Sequence, residues 1–194
     1  VMEQLKNEKL TVEISSHGAE LQSIRNAEGR EYLWQGDEKY WPRRSPLLFP
    51  IVCGLWKDEY RVDGRTFNLP RHGFARDMDF EVVEKSDTSV TYTLESNAQT
   101  REVYPYDFEL DVTYILNDDN INVIWSVKNT GKEEMHFQIG GHPAFNLPGV
   151  AEGDKMHGSI LFDNVEPLTR IIGNTGGCIK PERYELKTDR QVWN

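Results

Sequence analysis

Two short segments of the chain combine histidine with arginine, glycine and proline in a way that suits acid–base chemistry. Residues 70–76 read Pro-Arg-His-Gly-Phe-Ala-Arg, and residues 140–146 read Gly-Gly-His-Pro-Ala-Phe-Asn. The histidines are His72 and His142. A histidine side chain has an unperturbed pKa of about 6.5, so it can hold or release a proton near neutral pH. Histidines in such segments suit acid–base chemistry on a small polar substrate, which makes His72 and His142 the candidate catalytic residues.

The backbone around His142 is predicted to be stiff. Residues 135–139 alternate apolar and polar side chains as a half-buried strand does, and two glycines then end the regular pairing. Pro143 fixes its own φ angle and favours an extended conformation at His142. The expected result is an imidazole held at the end of a strand. From these residues alone, a histidine that only hydrogen-bonds a turn explains the pattern equally well.

Three further side chains are candidates for substrate binding, namely Arg44, Arg76 and Asn146. Arg44 lies in residues 40–54, a segment with three prolines that is too apolar for an ordinary surface loop, so we expect it to line a cleft. An arginine fork suits hydroxyl or phosphate oxygens, and an aromatic ring such as that of Trp41 suits the C–H face of a sugar. The combination predicts a carbohydrate site.

Neither metal nor redox chemistry is indicated. The chain has no His-x-x-x-His, His-x-His or Cys-x-x-Cys pattern and no glycine-rich nucleotide motif, so we predict no metal ion and no organic cofactor. Cys53 and Cys178 lie far apart in the sequence and are expected to be free thiols. Asp77, Asp79 and Glu81 alternate along a predicted strand. They could supply a general base, although a solvated strand face is the favoured interpretation.

Short alternating stretches joined by tight turns are predicted to position these residues. Apolar side chains alternate with polar ones over residues 10–14 and, in a long hairpin, over 108–114 and 121–127. Asp63-Gly64 suits the type I′ turn of a shorter hairpin. No window of comparable length shows the period of about 3.6 residues that marks an amphipathic helix. The pattern predicts an all-β fold, a large antiparallel β-sandwich that forms one domain over residues 1–194.

The composition limits the partners of the chain. Its 194 residues carry 22 basic and 32 acidic side chains, a net charge of −10, which disfavours binding to nucleic acid or to an anionic membrane surface. No apolar stretch is long enough for a membrane span and no signal-peptide pattern opens the chain, so we expect a cytoplasmic protein. The chain stops at Val192-Trp193-Asn194 with no turn or polar tail. This ending predicts that the C-terminal part of the sandwich is missing.

Taken together, the motifs resemble those of aldose 1-epimerases. They are Ser-His-Gly-Ala-Glu-Leu at 16–21, Arg-Ser-Pro-Leu-Leu-Phe-Pro at 44–50, and the histidine segments at 70–76 and 141–146. Tyr-Pro-Tyr-Asp-Phe at 104–108 is similar to the LacX-like, galactose mutarotase-related branch. The resemblance covers nearly the whole chain. It implies a galactose mutarotase-like supersandwich that binds an aldose, either a hexose or a hexose phosphate, in a cleft.

The resemblance also implies a reaction, the interconversion of α and β anomers. In that family a base removes the proton of the C1 hydroxyl while an acid protonates the ring oxygen, and the ring then opens and recloses. The implied acid is His142, while His72 holds the sugar and assists at the ring oxygen, and Arg44 is a substrate contact. The family's base is a glutamate near the C-terminal end, and no position of this chain matches it.

Two alternatives stay open on the sequence. The run His-Gly-Phe-Ala-Arg suggests a hexose-6-phosphate 1-epimerase in which Arg76 faces the phosphate. A non-catalytic carbohydrate-binding β-sandwich would keep the cleft and lack the base. The sequence makes no prediction of the oligomeric state.

Overall fold

Antiparallel β-sheet accounts for nearly all the regular structure. The computed structural model describes residues 1–147, 149–150, 153–154, 158–161, 168–173, 179–186 and 190–193. Within these ranges the helical segments are α1 (Ala98–Val103) and two 3-10 turns, Trp56–Asp58 and Ala75–Asp77. None of these helices is long and apolar enough to cross a bilayer. The all-β class predicted from the alternating pattern is confirmed.

The first sheet is built from the N-terminal strands β1 (Met2–Lys6), β2 (Leu10–Ser15) and β3 (Glu20–Asn26). They pair antiparallel in the order β1-β2-β3. Every second residue of β2 is buried, beginning with Leu10, and the residues between are half-buried. This is the period of two that one buried sheet face requires.

The second sheet contains β7 (Glu81–Lys85), β8 (Ser89–Glu95), β9 (Phe108–Asn117) and β10 (Asn120–Asn129), in the order β10-β9-β8-β7. Every second residue of β9 is buried. The hydroxyl of Tyr114 in β9 donates to the carbonyl oxygen of Ala19 at 2.7 Å. The core therefore lies between the two sheets, as in the predicted sandwich.

Both predicted hairpins are confirmed. The long one is formed by β9 and β10, which pair over their whole length. The short one joins β5 (Glu59–Val62) to β6 (Arg65–Asn68). Its turn residues Asp63 and Gly64 have φ angles of 48° and 77°, and two positive φ angles are what a type I′ turn requires.

The strand predicted for residues 135–139 is wrong. That stretch has no strand ladder, and the glycines that follow it form a short strand themselves, β11 (Gly140–Gly141), which pairs with β4 (Leu47–Leu48). A regular strand ladder fails here because Pro50, which lies opposite residues 135–139, has no N–H to donate. The side chain of Gln138 accepts from the backbone of Val52 at 3.0 Å, in place of a backbone carbonyl.

The C-terminal region forms two further antiparallel pairs. β12 (Gly158–Leu161) pairs with β15 (Arg190–Trp193), and β13 (Leu168–Gly173) pairs with β14 (Ile179–Leu186). Cys178 lies outside the described residues, whereas Cys53 is a free, exposed cysteine as predicted. That residues 1–194 form one domain whose C-terminal part is missing stays a prediction.

Candidate functional site

One short stretch, residues 46–53, holds both histidine segments, and we call it the central segment. Along one of its edges β4 pairs with β11, and the carbonyl oxygen of Pro46 accepts from the N–H of His142 at 3.1 Å. Along the other edge the N–H of Phe49 donates to the carbonyl oxygen of His72 at 3.2 Å. Successive residues of an extended chain direct their backbone groups to opposite edges. A single segment can therefore anchor two loops that are distant in sequence.

Gly73 allows the His72 loop to approach the central segment closely. Its φ angle is +70°, and a Cβ atom at this position would lie 2.2 Å from the carbonyl oxygen of Phe49. Only glycine fits both the backbone angle and the contact. His72 itself has a φ angle of 70°, so the loop crosses the left-handed region at two consecutive residues.

The two histidine rings lie side by side. Their centroids are 6.2 Å apart with an interplanar angle of 64°. The ring of Trp41 lies 5.1 Å from that of His142. His142 is exposed and His72 is half-buried. The structure therefore brings together the two side chains for which a catalytic role was predicted, and it adds an indole ring at the same place.

The surroundings of His72 disfavour its charged form. Burial has the largest effect and lowers the pKa of His72, and the positive charges of Arg76, His142, Arg71 and Arg43 lower it further. The backbone N–H of Cys53 donates to Nδ1 of His72 at 3.0 Å. An imidazole in this position is suited to forming hydrogen bonds as a neutral group.

Arg76 is a largely buried cation close to His72, with only 18% of its side chain exposed. Its Nη2 donates to the carbonyl oxygen of Arg71 at 2.8 Å. Its Nε lies 3.5 Å from Oδ2 of Asp77, which is an ion pair without hydrogen-bond geometry. This buried Nε therefore has no hydrogen-bond partner among the described residues. Burial lowers the pKa of Arg76, but an arginine still keeps its charge at neutral pH.

A second arginine, Arg43, adds its positive charge close to Arg76. Its Nη2 donates to Oδ1 of Asp77 at 2.6 Å, so that one carboxylate lies between the guanidinium groups of Arg43 and Arg76. Its charge acts on both His72 and Arg76. Of the two adjacent arginines, the sequence predicts Arg44 as the substrate contact, whereas the charge of Arg43 is the one that acts on His72.

Arg44, the predicted substrate contact, donates hydrogen bonds to residues of β3. Its Nη1 donates to the carbonyl oxygen of Gln22 at 2.7 Å, and its backbone N–H donates to the buried carboxylate of Glu20 at 3.0 Å. Glu20 also accepts from the backbone of Ser45 at 2.7 Å. Arg44 thus joins its segment to β3 and lines a polar cavity of about 410 Å³. Its contact with substrate stays a prediction.

Asn146 fixes the end of the His142 segment. Its Nδ2 donates to the carbonyl oxygens of Leu33 and Glu31 at 2.9 and 3.3 Å. Its backbone N–H donates to the carbonyl oxygen of Tyr32 at 2.8 Å. The amide nitrogen is therefore engaged within the fold. The contact between Asn146 and a sugar stays a prediction.

Asp77, Asp79 and Glu81 do not share one strand face, so this prediction is wrong. Asp77 ends a 3-10 turn, which interrupts the alternation, and only Glu81 belongs to β7. Asp79 lies 2.8 Å from Nδ1 of His17. In the described part of the chain, no group of three or more His, Cys, Asp or Glu residues is placed to hold a metal ion.

A larger, mainly apolar cavity of about 760 Å³ lies between the sheets, next to the His142 segment. Trp125 of β10 and Phe145 line it, and both rings are more than one-third exposed. Its apolar lining makes it poorly suited to a hexose, whose hydroxyl groups need polar partners. The candidate functional site is therefore the histidine pair with the cationic group of Arg43, Arg71 and Arg76.

Comparison with known proteins identifies the family of this chain. The family model for aldose 1-epimerase matches residues 3–161. The chain is 42% identical over 171 residues to the protein LacX of Lactococcus lactis subsp. lactis, in both its chromosomal and its plasmid form. These matches cover 84% of this chain but only 56% of the relatives.

Two solved structures are similar over the whole chain. The galactose mutarotase related enzyme from Lactobacillus acidophilus has a TM-score of 0.92 and 36% identity. A galactose mutarotase-like protein from Lactobacillus casei has a TM-score of 0.91 and 35% identity. All of this chain is covered, against 65% and 67% of the two structures. The predicted LacX-like resemblance and galactose mutarotase-like fold are confirmed, and the chain belongs to the aldose 1-epimerase family.

Proposed function

We propose that this chain takes part in the interconversion of the α and β anomers of a hexose, as an isomerase of the aldose 1-epimerase type without a cofactor. The observation that carries the proposal is the convergence of His72 and His142 on the central segment, with 6.2 Å between the ring centroids. Family membership supports the class of reaction. The half-buried cationic surroundings and the indole of Trp41 support a polar substrate with an apolar face.

In the proposed reaction no atom is gained or lost. A base takes the proton of the C1 hydroxyl, and the electron pair of that O–H bond forms the C1 carbonyl. The bond between C1 and the ring oxygen breaks as His142 gives a proton to that oxygen. Rotation about the C1–C2 bond presents the other face of the carbonyl, and the reverse steps close the ring as the opposite anomer.

The two histidines suit different parts of this reaction. His142 is exposed, so it can regain a proton from solvent or substrate after each ring opening. His72 has a lowered pKa and lies among arginines, which favours a hydrogen-bonding role over an acidic one. No position of residues 1–194 matches the family's glutamate base. We therefore expect residues 1–194 to bind an aldose with little turnover.

The test is to combine sugar binding with turnover. Saturation-transfer NMR with galactose and glucose should detect binding to residues 1–194, and the double variant His72→Ala/His142→Ala should abolish it. Polarimetry of α-galactose on the same samples measures turnover. Binding that survives the double variant, or no binding of any aldose, would contradict the proposed site. Binding without turnover in a version extended to the length of the relatives would identify a non-catalytic carbohydrate-binding protein.

One observation favours a phosphorylated sugar as a second candidate substrate. Arg43, Arg71 and Arg76 all act on His72, whereas the one carboxylate paired with this group in the described structure is Asp77. The buried Nε of Arg76 has no hydrogen-bond partner among the described residues. A phosphate group would supply both the missing negative charge and an acceptor oxygen.

Substitution of Arg76 separates the two substrates. Because a hydrogen bond to a charged group contributes about 1.5–3 kcal/mol, Arg76→Ala should weaken binding of a hexose 6-phosphate roughly 10- to 100-fold and leave the free hexose within about threefold. Arg65→Ala, in the β5–β6 hairpin, is the matched control and should change neither affinity. Isothermal titration of both ligands measures the effect. Equal losses for the two ligands would remove the phosphate candidate.

A further inference from the structure

Cys53 and His72 form a reciprocal pair of hydrogen bonds. The N–H of Cys53 donates to Nδ1 of His72 at 3.0 Å, and the N–H of His72 donates to the carbonyl oxygen of Cys53 at 2.9 Å. The backbone at both residues lies in the left-handed region, with φ angles of 67° and 70°. Both residues of the pair therefore have a backbone conformation that is rare outside glycine.

The direction of the ring hydrogen bond follows from the chemistry of the donor. A backbone N–H can only donate, so Nδ1 of His72 must accept and carries no proton. A neutral imidazole without a proton on Nδ1 has it on Nε2. The second ring nitrogen of His72, Nε2, is therefore an N–H donor.

The groups that face His72 all oppose a second proton. The central segment supplies the amide of Cys53, which donates to His72. Arg43, which precedes the central segment in the chain, adds a positive charge. The loop of His72 contributes Arg71 and Arg76, and the segment after β11 contributes His142. Burial and these positive charges lower the pKa of His72. The nearby carboxylate of Asp77 is paired with Arg43 and Arg76.

We propose that His72 is a fixed, neutral Nε2–H donor whose tautomer is set by the amide of Cys53. Cys53 is thus a positioning residue that acts through its backbone. The assignment of the Nε2–H group to a sugar oxygen rests on the proposed function, whereas the tautomer of His72 does not. The two imidazoles are therefore not interchangeable, although they lie side by side.

The tautomer can be measured without any ligand. In protein labelled with ¹⁵N-histidine, long-range proton–nitrogen correlation spectra distinguish the two tautomers and the imidazolium form. The chain has five histidines, and the signals of His72 are those missing from His72→Gln. At neutral pH we expect an unprotonated Nδ1 and a protonated Nε2. A proton on Nδ1, an average of the two tautomers, or an imidazolium at this pH would overturn the proposal.

Variants of Cys53 show whether its amide or its thiol sets the tautomer. Cys53→Gly and Cys53→Ser both keep the N–H donor and remove the thiol, so the spectrum of His72 should show the same tautomer in each. Loss of the Nε2–H tautomer in both variants would assign the effect to the thiol and overturn the role of the backbone.

A pair of amide substitutions then tests what the donor does. The side-chain nitrogen of glutamine in His72→Gln takes the place of Nε2, whereas that of asparagine in His72→Asn takes the place of Nδ1. His72→Gln should keep aldose affinity within about tenfold, and His72→Asn should bind at least tenfold more weakly than His72→Gln. Asparagine tolerates a positive φ angle better, so the comparison is biased against this outcome. Equal or tighter binding by His72→Asn would overturn the donor role while leaving the tautomer result intact.

Discussion

His72 and His142 differ in nearly every local property although they lie next to each other. His72 is half-buried, accepts a hydrogen bond from Cys53 and is surrounded by arginines. His142 is exposed, is held through its backbone by Pro46, and lies beside the ring of Trp41. Substitutions of the two residues should therefore have separable effects.

Removing the proposed acid should slow the reaction strongly. In a version of the chain extended to the length of its LacX relatives, His142→Ala should lower kcat for mutarotation by about 10²–10⁴, the usual contribution of a general acid. His136→Ala, which changes an exposed histidine four residues before β11, should leave kcat nearly unchanged. Polarimetry of α-galactose measures both. Turnover close to that of the unmodified protein in His142→Ala would assign the acid role to another group.

The lowered pKa of His72 predicts a pH dependence of stability. Because the folded state disfavours the charged ring, the unfolded state binds a proton more readily below the ordinary pKa of 6.5. The free energy of unfolding should therefore be highest above that pH and fall as pH decreases through the lowered folded-state pKa. His72→Gln should lose this part of the dependence. Urea unfolding of both proteins between about pH 7 and pH 5 measures the difference, and parallel curves would contradict the prediction.

At the scale of elements, the central segment depends on Gly73. Gly73→Ala introduces a left-handed alanine, which costs about 1–2 kcal/mol. It also places a methyl group against the carbonyl of Phe49. Gly29 is a matched control because its φ angle is +83° with nothing within 4 Å of an added Cβ. We expect a loss of about 3 kcal/mol or more for Gly73→Ala and about 1–2 kcal/mol for Gly29→Ala. Equal losses in urea unfolding would show that the loop can move away.

The elements that the sequence predicted correctly are those with local causes. The β9–β10 hairpin follows from a period of two, and the turn at Asp63-Gly64 follows from residues that accept positive φ angles. The strand predicted for residues 135–139 failed because its partner contains proline, and Gln138 uses its side chain instead. These features depend on what lies opposite in space, which alternation within one segment does not reveal.

Within the site, the same distinction holds for individual residues. His72 and His142 could be predicted because their residue types and flanking glycines are unusual in themselves. The choice between Arg43 and Arg44 could not, because adjacent arginines in an irregular segment give no indication of which one faces inward. The role of Cys53 depends on a contact with a residue 19 positions away and leaves no local pattern.

At the scale of the whole molecule, the chain spans 56% of the length of its LacX relatives. If the base is the C-terminal glutamate that the family resemblance implies, residues 1–194 should turn over α-galactose about 10²–10⁴ times more slowly than a version extended to that length. Exposed apolar side chains in β10, including Ile124 and Trp125, should also make the shorter protein more prone to aggregate. Polarimetry and light scattering on matched samples measure both. Equal turnover from a monodisperse shorter protein would place a base within residues 1–194.

The position of both histidine segments on one stretch of eight residues also affects how the site responds to thermal motion. Packed parts of a fold can move relative to each other in slow collective motions. The distance between the two imidazole rings does not depend on how one sheet lies against the other, because both histidine segments are hydrogen-bonded to residues 46–53. Relative movement of the sheets should therefore carry both imidazoles together as one body. The alignment of donor and acid can persist in a fold whose larger parts fluctuate.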